Sequence, residues 1–278
     1  MKTLTSLKSV GPIACVASVL VCGSASAVTT QIYQESFEDD SNIYGGGFSP
    51  TAADRGYNSG QVFDTANDTN DYWYRSDKTT IDSFTEHVEI GTVIGDYYWA
   101  AQDLPDILND PSPSSIKTLT IEGIDIASQT GLSFAFLVAA NPGDTGASTN
   151  YDHQGGLSDG LLIEYSIDGG SYQNLLAFRP QSPTSDTSSN TGHLALDTNF
   201  DGQGDAVTTL TRAMQEYTAN IGSTGTTLDL RFTVTLDGAN EYIGIDNIRI
   251  NADAIPEPSS SMLFGLGALG MIARRKRQ

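Results

Sequence analysis

Hydrophobic and polar residues alternate over short stretches of this chain, and no stretch holds a long helical period. The clearest case is 228–236, where Leu228, Leu230, Phe232, Val234 and Leu236 recur at every second position. Side chains two apart on a strand point the same way, so these five form one apolar face. Residues 161–167 alternate as well, and Asp168-Gly169-Gly170 then leads into 172–178, the pattern of a β-hairpin and its turn. Residues 132–139 are almost continuously apolar, as in a strand covered on both faces. Further strands are predicted at 32–37, 72–75, 88–94 and 97–101, around Leu119, Ile121 and Ile126, and through Ile243, Ile245, Ile248 and Ile250. Gly, Pro, Asn, Asp and Ser fill the breaks, with long connections at 41–70, 141–158 and 179–190. Short strands so separated predict an all-β fold, an antiparallel β-sandwich of jelly-roll type.

The two ends depart from this pattern. Lys2 and Lys8 precede an apolar stretch at 13–21 and the small residues Ala25-Ser26-Ala27, which reads as a secretory signal helix cut by signal peptidase after Ala27. Cys15 and Cys22 both lie within it, so the mature chain is expected to have no disulfide, no thiol nucleophile and no Cys-based zinc site. At the other end, Pro256, Glu257 and Pro258 form a stiff extended segment, because each proline fixes φ and restricts the residue before it. A Gly- and Ala-rich apolar run at 262–273 follows. As a helix it spans roughly 18–22 Å, short for a ~30 Å hydrocarbon core unless flanking bases snorkel. Arg274, Arg275, Lys276 and Arg277 would hold its end on the cytoplasmic side. This three-part tail resembles the PEP-CTERM sorting signal, recognised by exosortase-type membrane enzymes of Gram-negative bacteria that make exopolysaccharide. The resemblance implies cleavage near Pro-Glu-Pro, transient anchoring in the inner membrane, and delivery to the cell surface or extracellular matrix. The expected division is a signal peptide at 1–27, a sandwich at 28–250, a linker at 251–254 and the sorting signal at 255–278.

Charge narrows the function classes. The chain has 34 acids and 14 bases. Setting aside Lys2, Lys8, the four tail bases and Glu257 leaves 33 acids against 8 bases, so the domain carries a net charge near −25. Nucleic-acid phosphates need basic patches, which excludes that partner class. Direct charge attraction to anionic lipid or acidic polysaccharide is excluded for the same reason. A surface that collects calcium, Ca2+, fits this balance.

Two places suit such an ion. In 197–208, Asp197, Asn199, Asp201 and Asp205 stand at positions 1, 3, 5 and 9 of an EF-hand-type loop. Gly202 supplies the sharp turn, and Gln203 would offer its backbone carbonyl. Thr208 stands where a bidentate Glu belongs, and the same residues also make an ordinary acidic turn. The second place joins the ends of the domain, which opens with Glu35-Ser36-Phe37-Glu38 and closes with Gly244-Ile245-Asp246-Asn247-Ile248. These stretches are similar to the edges of MAM-like and other carbohydrate-binding-type jelly rolls. The resemblance implies that first and last strands pair, and that Glu38 and Asp246, with Asp39 or Asp40, share a structural calcium.

Aromatic clusters at Tyr72-Trp73-Tyr74 and Tyr97-Tyr98-Trp99 offer faces for stacking on sugars, or core side chains; Tyr72, Trp73, Tyr74, Tyr98 and Trp99 are the ligand-binding candidates. Gly156-Leu157-Ser158-Asp159-Gly160 has the spacing of a nucleophile elbow but lacks the strand before and helix after that the motif needs. His87, His153 and His193 have no metal-ligand spacing. With no catalytic constellation, the expected function is that of a non-enzymatic, calcium-stabilised, polysaccharide-associated surface protein. The alternatives are a structural or adhesive protein that binds other matrix proteins, and a polysaccharide hydrolase.

Overall fold

In the computed structural model the described residues are 29–38, 72–77, 92–106, 114–140, 151, 158–181, 192–238 and 241–253. Eleven strands form among them: β1 (Thr29–Glu35), β2 (Tyr72–Asp77), β3 (Tyr97–Gln102), β4 (Ile116–Asp125), β5 (Ser133–Ala140), β6 (Gly160–Ile167), β7 (Gln173–Pro180), β8 (Leu194–Leu196), β9 (Gln215–Asn220), β10 (Thr227–Thr235) and β11 (Tyr242–Asp253). One sheet runs β2-β3-β11-β5-β9, with β1 also paired to β11; the other runs β4-β10-β6-β7-β8. Every pairing between strands is antiparallel.

The two sheets share one core and so make a β-sandwich. Phe134 and Phe136 of β5 meet Phe232 of β10 at 6.1 and 6.2 Å between ring centroids. Phe136 meets Phe178 of β7 at 6.1 Å. Leu228, Leu230, Phe232, Val234 and Leu236 are all fully buried, as their alternation requires.

Where the alternation slips, a bulge explains it. Leu119 and Ile121 share a phase that Ile124 and Ile126 break, yet all four are buried. The β4–β10 register shifts there, between Leu228 and Leu230. Gly123 takes φ +71° and donates its N–H to Asp229 Oδ1 at 2.8 Å. An extra residue in one strand restores the inward face. The same device acts in β11 between Ile245 and Ile248, where the register with β5 shifts and Asn247 takes φ +46°. At that point β11 also changes neighbour, from β3 (Tyr242 to Ile245) to β1 (Ile248 to Asp253).

The hairpin at Asp168-Gly169 forms with both residues at positive φ, +52° and +69°, as a two-residue turn between twisted strands demands. The strand expected at 88–94 does not form in its described part, 92–94, which is a turn. β8 and β9 were not foreseen. β9 is an edge strand whose residues alternate between half-buried and exposed, and only Tyr217 and Ala219 pack on the core. The signal helix and the C-terminal hydrophobic helix lie outside the described residues, as do Ala27, Pro256, Glu257, Pro258, Arg274 and Arg275. Among the described residues no helix is long and apolar enough to cross a membrane.

Candidate functional site

The first and last strands pair, Thr29 with Asp253 through to Glu35 with Ile248. This pairing brings the acids at their ends together. Tyr33, Glu35 and Phe37 all turn inward at every second position, so Glu35 is 1% exposed. Its Oε1 accepts the Phe37 N–H at 2.6 Å. Phe37 takes φ +60°, an uncommon conformation for a bulky residue. Its ring is fully buried, 5.9 Å from that of Trp99. This turn sets Glu38 over the next segment, where its Oε1 accepts the N–H groups of Asp96 and Tyr97, both at 2.9 Å.

Asp246 lies at the β11 bulge with no exposed surface. Its Oδ2 accepts Ile94 N–H at 2.9 Å and its Oδ1 accepts Asn247 N–H at 2.6 Å. Burial pushes its carboxyl up to about 7; these two amides oppose the rise, and the Glu38 and Glu35 carboxylates add to it. A buried carboxylate facing like charges disfavours ionisation on both counts. Carboxylate oxygens are hard donors, and a cation held among them would reverse the repulsion, but the oxygens of Glu35, Glu38 and Asp246 are not among those that all lie within 4.8 Å of one another. Asp39 and Asp40 lie outside the described residues.

The loop 197–208 is arranged otherwise. Asp197 is buried; its Oδ2 accepts Gly202 N–H at 2.9 Å and its Oδ1 accepts Asp201 N–H at 3.3 Å. Asn199 Oδ1 accepts the same Asp201 N–H at 3.1 Å, and Asp201 Oδ1 accepts Gln203 N–H at 3.0 Å. Asp205 Oδ2 accepts the Thr198 hydroxyl at 2.6 Å. Gln203 sends its side-chain N–H to the Gln181 carbonyl at 2.8 Å. Asn199, Asp201 and Asp205 are exposed. The carboxylates of Asp197, Asp201 and Asp205 do not converge, because each turns back onto the loop's own N–H donors. Among the described residues, the acids whose oxygens all lie within 4.8 Å of one another are Asp159, Asp237 and Glu241.

That trio was not foreseen. Asp159 precedes β6, Asp237 follows β10 and Glu241 precedes β11. Asp159 and Glu241 are each 3% exposed. Glu241 Oε2 accepts the N–H groups of Asp237 and Gly238, both at 2.8 Å. Burial raises the Glu241 carboxyl to about 7, with Asp237 adding to the rise against those two N–H donors. Burial raises Asp237 as well. Arg179 donates to the Ser158 carbonyl at 3.0 Å; burial weakens its charge, while Asp197 and Asp159 favour it. The three acids are hard oxygen donors at a spacing that can hold a metal ion.

The aromatic expectation is corrected for three residues. Trp73, Tyr98 and Trp99 are 4%, 2% and 0% exposed and so present no face to a sugar. Trp73 and Trp99 pack edge to face at 5.1 Å in the core, where large rings bury the most apolar area. Tyr98 packs on the opposite face of its sheet with Val93, Ala100, Ala139 and Tyr242. Tyr72 and Tyr74 lie on β2, and their side chains are outside the described residues. An accessible aromatic not foreseen is Tyr172, half-buried, with the Arg231 guanidinium 3.8 Å from its ring centroid. Arg231 in turn pairs with Glu164 at 2.8 Å. His193 is half-buried; His87, His153, Gly156 and Leu157 lie outside the described residues.

No curated protein matches the chain. Several solved structures are similar to it at low TM-scores. The CBM22-1 xylan-binding domain from Paenibacillus barcinonensis has TM-score 0.36 and 9% identity, covering 83% of this chain and 100% of that one. A Stig cyclase, Fisc, from Fischerella sp. TAU has TM-score 0.38 and 12% identity over 81% and 98%. The K3 cleaved adhesin domain of Lys-gingipain from Porphyromonas gingivalis w83 has TM-score 0.33 and 12% identity over 80% and 98%. Likenesses this loose carry no conclusion about activity. Residues 254–278, by contrast, match the PEP-CTERM protein-sorting motif, which marks the chain as an exported protein sorted to the cell envelope.

Proposed function

We propose that this is a non-catalytic surface or extracellular-matrix protein of a Gram-negative bacterium, a calcium-stabilised jelly-roll module that associates with polysaccharide. The observation that carries the reading is buried Asp246 raised by the carboxylates of Glu38 and Glu35 where the first and last strands join, although these acids are spaced more widely than Asp159, Asp237 and Glu241. A site closed by both ends of the chain turns ion binding into folding stability, because only the folded state assembles it. The jelly-roll reading is supported by the strand order, in which β4, β5 and β6 alternate between sheets and the first strand returns beside the last. Calcium delivered at the cell surface would then decide whether the exported chain stays folded.

The test is a glycan screen of the exported domain against polysaccharides of an exosortase-bearing host, with calcium and with EGTA. Calcium-dependent retention on a host glycan is the expected result. Failure to bind any of them sinks the polysaccharide reading, and calcium-dependent self-association in its place favours the adhesive alternative. One observation favours a second reading, a polysaccharide hydrolase: Asp159, Asp237 and Glu241 lie together and Glu241 is pushed up to about 7. Glycoside hydrolysis uses a carboxyl kept protonated near neutrality beside an ionised one. Release of reducing sugar that Glu241→Gln abolishes would establish it.

A further inference from the structure

The sandwich does not loosen before the sorting motif begins. β11 is paired on both sides as far as Asn251, which meets Gln31 of β1 on one side and Ser133 of β5 on the other, and its last two residues stay paired with β1. Asp253 still pairs with Thr29 and donates its N–H to the Thr130 carbonyl at 2.8 Å. Its carboxylate lies over Gly131, at φ +59°, where any side chain would collide with it. Only Ala254 and Ile255 separate this clamp from Pro256, about 10 Å of fully extended chain from Asp253 to the proline.

A processing enzyme reads its substrate as an extended segment on both sides of the bond it cuts, and its backbone contacts need N–H and C=O groups not already in use. The residues upstream of the motif have spent theirs on β1, β5 and the turn at Thr130. We propose that the β1–β11 seam, closed by the Thr130-Gly131 turn, is a clamp that limits sorting: the folded domain is processed only when the end of β11 peels away. Cleavage through local opening follows the population of the open form. Whatever frees Asp253 therefore speeds processing, and whatever holds it slows processing. The inference rests on the exosortase reading of the tail.

The experiment follows the full-length chain in an exosortase-bearing Gram-negative host by pulse–chase, reading the ratio of processed to unprocessed protein. One variant inserts six Gly/Ser residues between Asp253 and Ala254, leaving the seam intact but adding free backbone. A second, Gly131→Ala, strains the φ +59° turn that holds the Thr130 carbonyl against the Asp253 N–H, without changing chain length. Glu257→Ala tests the tail itself. Resistance of the chain to limited proteolysis checks that each variant is folded. The clamp predicts a several-fold faster conversion for the insertion and for Gly131→Ala, with none for Glu257→Ala. If wild type is processed and either the insertion or Gly131→Ala converts no faster, the clamp is overturned while the sorting reading stands. Should Glu257→Ala be processed like wild type, or no chain be processed at all, the sorting reading falls and takes the clamp with it.

Discussion

Two acidic regions of this molecule use the same residue types to opposite ends. In the loop at 197–208 the carboxylates accept N–H groups from their own turn, and three of the four side chains at its odd positions are exposed. At the seam of β1 and β11, Asp246 is wholly buried and is repelled by Glu38 and Glu35. Carboxylates in both regions accept backbone N–H groups; the seam differs in burial and like-charge repulsion, a cost that a bound cation would offset. Spacing in sequence pointed to the loop more sharply than to the seam. Burial and like charge decide between them, and neither is visible in spacing.

The widest gap between the two regions is expected in their response to calcium. A cation at 100 times its dissociation constant stabilises by about 2.7 kcal/mol, which for a domain of this size is a rise in Tm of roughly 5–10 °C. Asp246→Asn should abolish this rise, and in EGTA at pH 8 should melt above wild type because it removes a buried like charge. Thermal melts of both proteins with EGTA and with millimolar calcium check this; an undiminished calcium shift in Asp246→Asn would remove the seam as the ion site.

Proton linkage sharpens the same contrast. Burial holds the carboxyls of Asp246 and Glu241 at about 7 in the folded protein, well above the ordinary carboxyl values of 3.8 and 4.5. Groups raised in the folded state bind more protons there than in the unfolded chain. The stability they contribute is fully present below their unfolded values and is lost as pH rises through about 7. In EGTA the Tm should therefore fall between pH 5 and pH 8, and calcium should flatten the part that belongs to Asp246. A melt series with no such fall would contradict the burial of these two acids.

Substitutions in the loop should do less. Asp197→Ala takes the acceptor from the part-buried Gly202 N–H and one of the two acceptors from the Asp201 N–H and should cost about 1 kcal/mol, while Asp201→Ala, on an exposed side chain, should stay within about 0.5 kcal/mol. Neither should alter the calcium shift, and loss of that shift in Asp201→Ala would move the ion site back to the loop. The smallest effect belongs to the hairpin turn. Asp168 Oδ1 accepts from the N–H and hydroxyl of Thr226 and of Thr227, and these bonds, the Thr226 hydroxyl first, lower its carboxyl to about 2. The stability it contributes is present above its unfolded value near 4 and is lost as pH falls through about 2. The difference in Tm between wild type and Asp168→Ala should shrink across that acid window.

Much of the fold was legible in side-chain alternation. β6, β10 and the hairpin at Asp168-Gly169 follow from period two and one turn dipeptide. What alternation could not supply were the bulges at Gly123 and Asn247, which break the period and leave Ile121 and Ile126, or Ile245 and Ile248, out of phase. β9 escaped because an edge strand buries little and needs few apolar residues. Within the candidate site, Glu35 was within reach of the sequence: it stands two residues from both Tyr33 and Phe37, so it had to face inward with them. The trio of Asp159, Asp237 and Glu241 was not, since only the pairing of β10 with β6, Thr235 beside Gly160, brings it together. Trp73 and Trp99 could not be assigned from sequence, because sugar platforms and sandwich cores draw on the same rings.

The pairing of β1 with β11 also fixes the order of events in time. Gln34 hydrogen-bonds to Asn247 across 213 residues. A chain that emerges from its N-terminus first cannot close this contact until nearly all of it has been delivered. Contacts of such long sequence separation are also slow to form, because the loop they close must be ordered before they return any stability. Until β11 arrives, β1 has no partner among the described strands and the acids of the seam remain apart. The domain is thus held back from its final form through synthesis and transit, and its last strand completes both the sheet and the place where a cation would bind.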